Sequence, residues 1–282
     1  MAVRKFSEKG LTEEVLYRIR DTRDPRLKQV MTSFIRHLHA FVRETRPTQE
    51  EWMKGIRFLT ETGHWCNDAR QEYILLSDTL GVSMLVDAIN YQAKSGATQS
   101  TVLGPFHREK APEYPLGASI AKNKSDGVPC LVSGTVRDAK GRPIPGAKLD
   151  VWEAGADGFY DSQKGKAMNL RGIFRADRGG RFHFRCVRPE FYPLPHDGTV
   201  GRMLKATGRH PMRPPHLHFW ITAKGYKPLI THLFVKGGKY LDSDVVFGVK
   251  PELIIEFRKG KDGVATATYD FVLMKAPSKR RR

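Results

Sequence analysis

The hydrophobic period of this chain changes near residue 100, and that change limits it to two regions of different class. Upstream, Leu27, Val30, Met31, Phe34, Leu38, Phe41 and Val42 recur at intervals of three and four, which describes one helix face. Thr48-Gln49-Glu50-Glu51 has the spacing of a capping box and opens a second helix with Trp52, Ile56 and Leu59 inward. Val82, Leu85, Val86 and Ile89 stripe a third. Such stripes predict core packing and an oligomer seam, with no chemistry of their own. Downstream, short apolar runs are separated by turn residues: Leu131–Val136, Leu149–Trp152, Ile173–Ala176, Phe182–Val187, His216–Ala223, Leu229–Val235, Leu253–Phe257 and Ala265–Leu273. Asp177-Arg178-Gly179-Gly180 between two of them reads as a hairpin turn. The pattern predicts a helical region over 1–100, a linker over 101–129 and an antiparallel β-sandwich domain over 130–282. The linker lies within a stretch, 93–129, rich in Gly, Pro, Ser and Lys.

Composition narrows the function classes. A chain of 282 residues can bury a sizeable core. No apolar run reaches the roughly 18–20 residues of a membrane span, and no secretory h-region is present, so a cytoplasmic protein is expected. Cys66, Cys130 and Cys186 are widely spaced, which predicts reduced structural thiols. The net charge of +18 would favour nucleic acid. Its basic residues are spread thinly, however, apart from Lys279-Arg280-Arg281-Arg282, which reads as a solvated tail. No specific nucleic-acid partner and no membrane span are expected. A basic surface can attract anionic phenols.

The chemistry gathers in four residues. In Arg213-Pro-Pro-His-Leu-His-Phe-Trp220 an extended backbone points His216 and His218 the same way, while Leu217, Phe219 and Ile221 form the apolar opposite face. Tyr160 ends Asp-Gly-Phe-Tyr after a strand-like run, and Tyr192 opens Tyr-Pro-Leu-Pro, a stiffened loop. Any one of these is more often packing than chemistry. Together, two phenolates and two imidazoles make a donor set suited to trivalent iron, unlike the thiolate or all-imidazole sets of zinc and copper(I).

These motifs and their order, with Leu-Asp-Val-Trp before Tyr160 and Thr-Val-Leu-Gly-Pro-Phe-His at 101–107, resemble the intradiol aromatic-ring dioxygenases, most of all the catechol and hydroxyquinol 1,2-dioxygenases. The resemblance covers essentially the whole chain. It implies one Fe(III) per subunit held by Tyr160, Tyr192, His216 and His218, with Tyr192 leaving the metal as substrate arrives. It implies that Arg213 stabilises charge on the ring. It draws the substrate pocket from Met84, Asp87, Leu103, Gly104, Pro105, Phe106, Leu194, Pro195 and Val246. Asp87 could accept a hydrogen bond from a third ring hydroxyl, or could serve its own helix. The partners implied are O2 and a small aromatic diol or triol: hydroxyquinol (benzene-1,2,4-triol) giving maleylacetate is the favoured substrate, with catechol or a substituted catechol giving a cis,cis-muconate as the alternative. A homodimer through the N-terminal helices, with a phospholipid in its groove, is also implied. One position departs from the catechol-cleaving pattern: His232 stands where many of those enzymes carry glutamine.

Two readings of other classes remain open on the sequence. One is a non-catalytic transthyretin-like β-sandwich binding protein in which the tyrosines and histidines are structural. The other is a basic binder of nucleic acid or membrane surface.

Overall fold

Residues 7–8, 10–68, 70–93, 96–123, 127–260 and 262–277 are described by the computed structural model, and the basic run at 279–282 lies outside them. The chain divides into two units, 1–60 and 61–282. The first holds α1 (Leu11–Arg18), α2 (Pro25–Thr45) and the start of α3 (Gln49–His64). Asp24 caps α2 by accepting from the backbone N–H of Arg26 (2.8 Å) and Leu27 (3.0 Å). Pro25 fills the first helical position, where no N–H is needed. The capping box of α3 forms as its spacing predicts: Thr48 N–H donates to Glu51 Oε2 (2.8 Å), and Glu51 N–H to Thr48 Oγ1 (3.2 Å). The apolar faces of these helices point outward. Phe34 is 56% and Phe41 58% exposed, and Trp52, Ile56 and Leu59 are exposed where the sequence placed them inward. Period identifies an apolar face without saying what covers it.

The second unit takes in the end of α3, followed by α4 (Glu72–Thr79) and α5 (Val82–Asn90). Here too the stripe Val82, Leu85, Val86 and Ile89 is exposed, and Ser83, Met84 and Asp87 form the half-buried side. Then follow β1 (Pro129–Asp138), β2 (Lys148–Trp152), α6 (Asp161–Lys164), β3 (Arg171–Arg175), β4 (Arg181–Val187), β5 (Tyr192–Pro193), α7 (Thr199–Ala206), β6 (Met212–Arg213), β7 (His216–Thr222) and β8 (Leu229–Val235). The last strands are β9 (Ile254–Ile255), β10 (Arg258–Lys259), β11 (Ala265–Thr268) and β12 (Phe271–Leu273). One sheet runs β10-β11-β1-β12 with β4 also on β1; the other runs β3-β2-β7-β8-β9.

The sheets bury one face each against the other. Leu149 and Val151 of β2 and Leu217, Phe219 and Ile221 of β7 join Val132, Phe182, Phe184 and Phe271 in one core. The Phe219 ring sits 4.8 Å from that of Phe271. Each such ring contributes roughly 1.5–3 kcal/mol by leaving water. Because strand side chains alternate, burying Phe219 turns His216 and His218 to the outer face of their sheet. The site is therefore built outside the main core.

Three sequence expectations change in detail. The sandwich is mixed, not wholly antiparallel: β1 runs parallel to β11 and β12, and β8 parallel to β9. The turn after Asp177 forms, but its strands go to opposite sheets, β3 to β2 and β4 to β1. The run Ala265–Leu273 breaks in two because Asp270 replaces a ladder partner. Its Oδ1 accepts from Thr135 N–H (2.8 Å) and Thr135 Oγ1 (2.7 Å).

Candidate active site

Tyr160, Tyr192, His216 and His218 converge on one point. Tyr160 Oη lies 2.9 Å from Tyr192 Oη and 2.8 Å from His218 Nε2. His216 Nε2 lies 3.1 Å from His218 Nε2 and 3.4 Å from Tyr192 Oη. All four side chains are buried.

Each donor is fixed by its surroundings. The Tyr160 backbone N–H donates to Gln163 Oε1 at 2.9 Å, and the Phe106 ring stacks on its ring at 4.5 Å and 18°. Behind it Asp161 forms a buried ion pair with Arg171, which also donates to the Phe106 carbonyl (3.0 Å). One guanidinium thus ties together the chain after Tyr160 and the ring stacked on it. Tyr192 is held by pairing of β5 with β6, in register with Arg213. That pairing brings the proline-rich loop and the arginine before the His pair side by side. His216 Nδ1 donates to the Pro214 carbonyl at 2.7 Å. His218 lies between Trp152 and His232, its partners in register on β2 and β8. Trp152 stacks on it at 4.6 Å and 17°, and His232 Nε2 lies 2.8 Å from its Nδ1.

The electrostatics follow from burial. It pushes the Tyr160 phenol well above its ordinary range, with the Tyr192 phenol adding to the effect. It raises Tyr192 as well, against the pull of Arg213. Burial and neighbouring charges hold His216, His218 and His232 well below the usual imidazole range, so the rings are neutral with lone pairs available. A bound trivalent cation reverses the phenol logic, since coordination stabilises phenolate. Donor atoms around a metal at about 2.0–2.1 Å stand roughly 3 Å apart, as these do. The set of two phenol oxygens and two imidazole nitrogens fits a hard cation.

His216, His218 and His232 alone would offer another cluster, with ligand atoms within 4.8 Å. The orientation of His218 argues against it. Its Nε2 faces Tyr160, and its Nδ1 makes the bond to His232 on the opposite side.

Arg213 reaches the donor cluster from a carboxylate anchor. Asp244 accepts from its Nε (3.1 Å) and Nη2 (3.2 Å), while Nη1 lies 3.1 Å from His216 Nε2. Burial opposes the guanidinium charge, but Asp244 outweighs it and raises the Arg213 pKa. The Asp244 carboxylate in turn accepts from Gly248 N–H at 3.0 Å.

The expected pocket residues divide. Pro105, Phe106, Leu194 and Pro195 line a cavity of about 390 Å³ with Phe159, Gln163 and His196. Gly104, at φ +75°, would place a Cβ 3.5 Å from His218 Cε1. Val246 is buried, and its N–H lies 3.4 Å from Asp244 Oδ1. Asp87 accepts from Ser100 Oγ (2.9 Å) and Lys250 Nζ (3.3 Å), both on Oδ2. Met84 and Leu103 are half-buried. Sequence reasoning missed Asp244, Trp152, Thr101 and Arg171. The register of β2, β7 and β8 is the signal that would have placed Trp152 beside His218.

Comparison with known proteins agrees with this geometry. Residues 102–275 match a family model described as dioxygenase, and residues 24–98 one described as the catechol dioxygenase N terminus. A 6-chlorohydroxyquinol 1,2-dioxygenase of Cupriavidus pinatubonensis is 50% identical, over 96% of this chain and 99% of that protein. A hydroxyquinol 1,2-dioxygenase of a Rhizobium species is 52% identical over 91% of this chain and 88% of its own. The solved structure of a hydroxyquinol 1,2-dioxygenase from Pseudomonas putida DLL-E4 superposes with a TM-score of 0.89 at 46% identity, covering 95% of this chain and 99% of that one. The non-catalytic sandwich is thereby set aside, and the chain belongs to the intradiol ring-cleaving dioxygenase family.

Proposed function

We propose that this dioxygenase cleaves hydroxyquinol with O2, between the two adjacent hydroxyl-bearing carbons, to give maleylacetate. The convergence of Tyr160, Tyr192, His216 and His218 beside the anchored Arg213 carries the reading. These four residues would hold one Fe(III) per subunit, which when bound acidifies phenolic ligands and lets ring electrons reach O2 without an external reductant.

The remaining roles belong to the chain. Tyr192 Oη, in register with Arg213, would, once deprotonated against the bound cation, be the phenolate suited to take a proton from an arriving substrate hydroxyl. Arg213, charged at every working pH, faces negative charge that develops on the ring. Gly104, Pro105, Phe106, Leu194 and Pro195 wall the ring and exclude water; Met84, Leu103 and Val246 complete the pocket. Asp87 receives the third hydroxyl. Its bonds to Ser100 and Lys250 both fall on Oδ2, leaving Oδ1 to accept. An acceptor left unpaired by a smaller diol would select strongly against it. Catechol or a substituted catechol, giving a cis,cis-muconate, is the second reading, favoured by the catechol-dioxygenase match of the N-terminal region.

The helical region 1–100 serves dimerisation in this reading, 101–129 links it, and 130–282 carries catalysis. The exposed apolar side chains of α2, α3 and α5 are suited to a homodimer seam and a phospholipid groove. No helix among the described residues is long and apolar enough to cross a membrane, and cytoplasmic residence is proposed.

The test is oxygen uptake by iron-loaded protein with hydroxyquinol and with catechol, with Tyr192→Phe as the control for autoxidation. Preference for hydroxyquinol is expected. Preference for catechol would remove Asp87 from the specificity argument, and no uptake above control would overturn the reading.

A further inference from the structure

His232 departs from the catechol-cleaving pattern, and its hydrogen bonds assign it a task. It stands directly opposite His218 in the β7–β8 ladder and is fully buried. Its Nε2 lies 2.8 Å from His218 Nδ1, and its Nδ1 lies 3.0 Å from Thr101 Oγ1. Thr101 is itself tied to β8, its backbone N–H donating to the Ile230 carbonyl at 2.9 Å.

This three-membered chain has two possible proton orders. In the first, His218 Nδ1 donates to His232 Nε2, and His232 Nδ1 donates to Thr101 Oγ1. His218 Nε2 then keeps its lone pair toward Tyr160 and the donor cluster. In the second, Thr101 donates inward, His232 donates to His218 Nδ1, and His218 Nε2 carries the proton. Only the first leaves a ligand. His216 faces no such choice, because its Nδ1 meets the Pro214 carbonyl, which can only accept.

We propose that His232 is a positioning residue which, with Thr101 behind it, holds His218 in the tautomer that presents Nε2 to the metal. Trp152 holds the same ring face-on, so the plane of His218 and its proton are set by separate neighbours. Partners of this kind govern metal affinity even though they do not ligate. A glutamine can take this part by accepting through its amide oxygen, whereas an apolar side chain cannot.

The proposal rests on the four-ligand reading above, and its test separates the two. Iron affinity is measured by competition with a chelator, alongside the visible tyrosinate-to-iron band. His232→Leu is expected to lose about ten- to a hundredfold in affinity. His232→Gln should stay within about threefold of the unsubstituted protein, and Thr101→Val should fall between the two. If His232→Leu binds iron normally while Tyr160→Phe does not, the positioning role is wrong and the ligand set stands. If Tyr160→Phe keeps both iron and the band, the ligand set itself is wrong. If both His232 variants lose iron entirely and the tyrosine variants keep it, His232 is a ligand and the proposal fails.

A measurement on the unsubstituted sequence covers misfolding of any variant. In protein labelled with ¹⁵N-histidine and loaded with gallium(III), a diamagnetic substitute for ferric iron, His218 and His232 should both carry their protons on Nδ1. A proton on His232 Nε2, or a coordination shift at His232, would overturn the assignment.

Discussion

Asp244 grips Arg213 through both carboxylate oxygens, at 3.1 Å to Nε and 3.2 Å to Nη2, and leaves Nη1 aimed at His216. A guanidinium held this way is oriented before substrate arrives, because its planar fork has one matching pose on a carboxylate. Arg213→Ala should keep its iron and lose on the order of 10²–10³ in kcat. Asp244→Asn removes the charge and one acceptor while leaving the guanidinium in place. It should cost about ten- to a hundredfold, mainly in kcat, through misorientation. Steady-state oxygen uptake, normalised to iron content, measures both. Equal activity in Asp244→Asn and the unsubstituted protein would separate the anchor from the chemistry.

Gly104 tests how closely the linker must approach the site. Its φ of +75° lies in the left-handed region, and a Cβ there would stand 3.5 Å from His218 Cε1, in ordinary contact. Strain is therefore the main cost of Gly104→Ala, about 1 kcal/mol or somewhat more. Urea denaturation should show that loss. A larger one would mean that the added methyl displaces the His218 ring, which a weakened visible band would reveal.

The donor residues were legible in the sequence because their signals are local. An H-x-H in an alternating strand puts both rings on one face, and prolines around Tyr192 mark a stiff loop. Their supports are not local. Asp244 follows Arg213 by 31 positions, and Thr101 precedes His232 by 131. Neither pairing can be read without knowing which strand lies beside which. The split at Asp270 was hidden for the same reason, since Thr135, which it bonds, lies on β1 far upstream. Amphipathic period located α2, α3 and α5 but not the direction of their apolar faces. Those faces are exposed, so the period there does not record the core of one chain.

Asp138 closes the turn after β1 and carries a pH signature. Its Oδ2 accepts from Arg142 Nε (2.9 Å) and Nη2 (2.7 Å), and its Oδ1 from Lys140 N–H (2.8 Å). The Arg142 bonds, with the backbone N–H groups, hold its pKa at about 2, below the usual 3.8. The folded value lies below the unfolded one, so the carboxylate stabilises the fold fully above about pH 4. That contribution is lost as pH falls through 4 toward 2. Asp138→Asn should lower the melting temperature at pH 7, and the gap should narrow across that window. A gap independent of pH would assign the effect to the turn's geometry and not to charge.

The outward apolar face of α2 is where the proposed homodimer is put to the test. Phe34 and Phe41 stand seven residues apart on it, with Leu38 between, and each is about half exposed or more. Covering one such ring in an interface is worth roughly 1.5–3 kcal/mol. In a twofold dimer the same residue occurs on both sides, so a single substitution counts twice. Phe41→Glu should therefore convert a dimer to monomer at micromolar concentration in sedimentation velocity. Catalysis need not be lost with it, because the donor cluster is built wholly from residues 160–218 of one chain. Retained iron and retained turnover per subunit in the monomer are the expected result. Loss of iron on dissociation would mean that association supports the site itself.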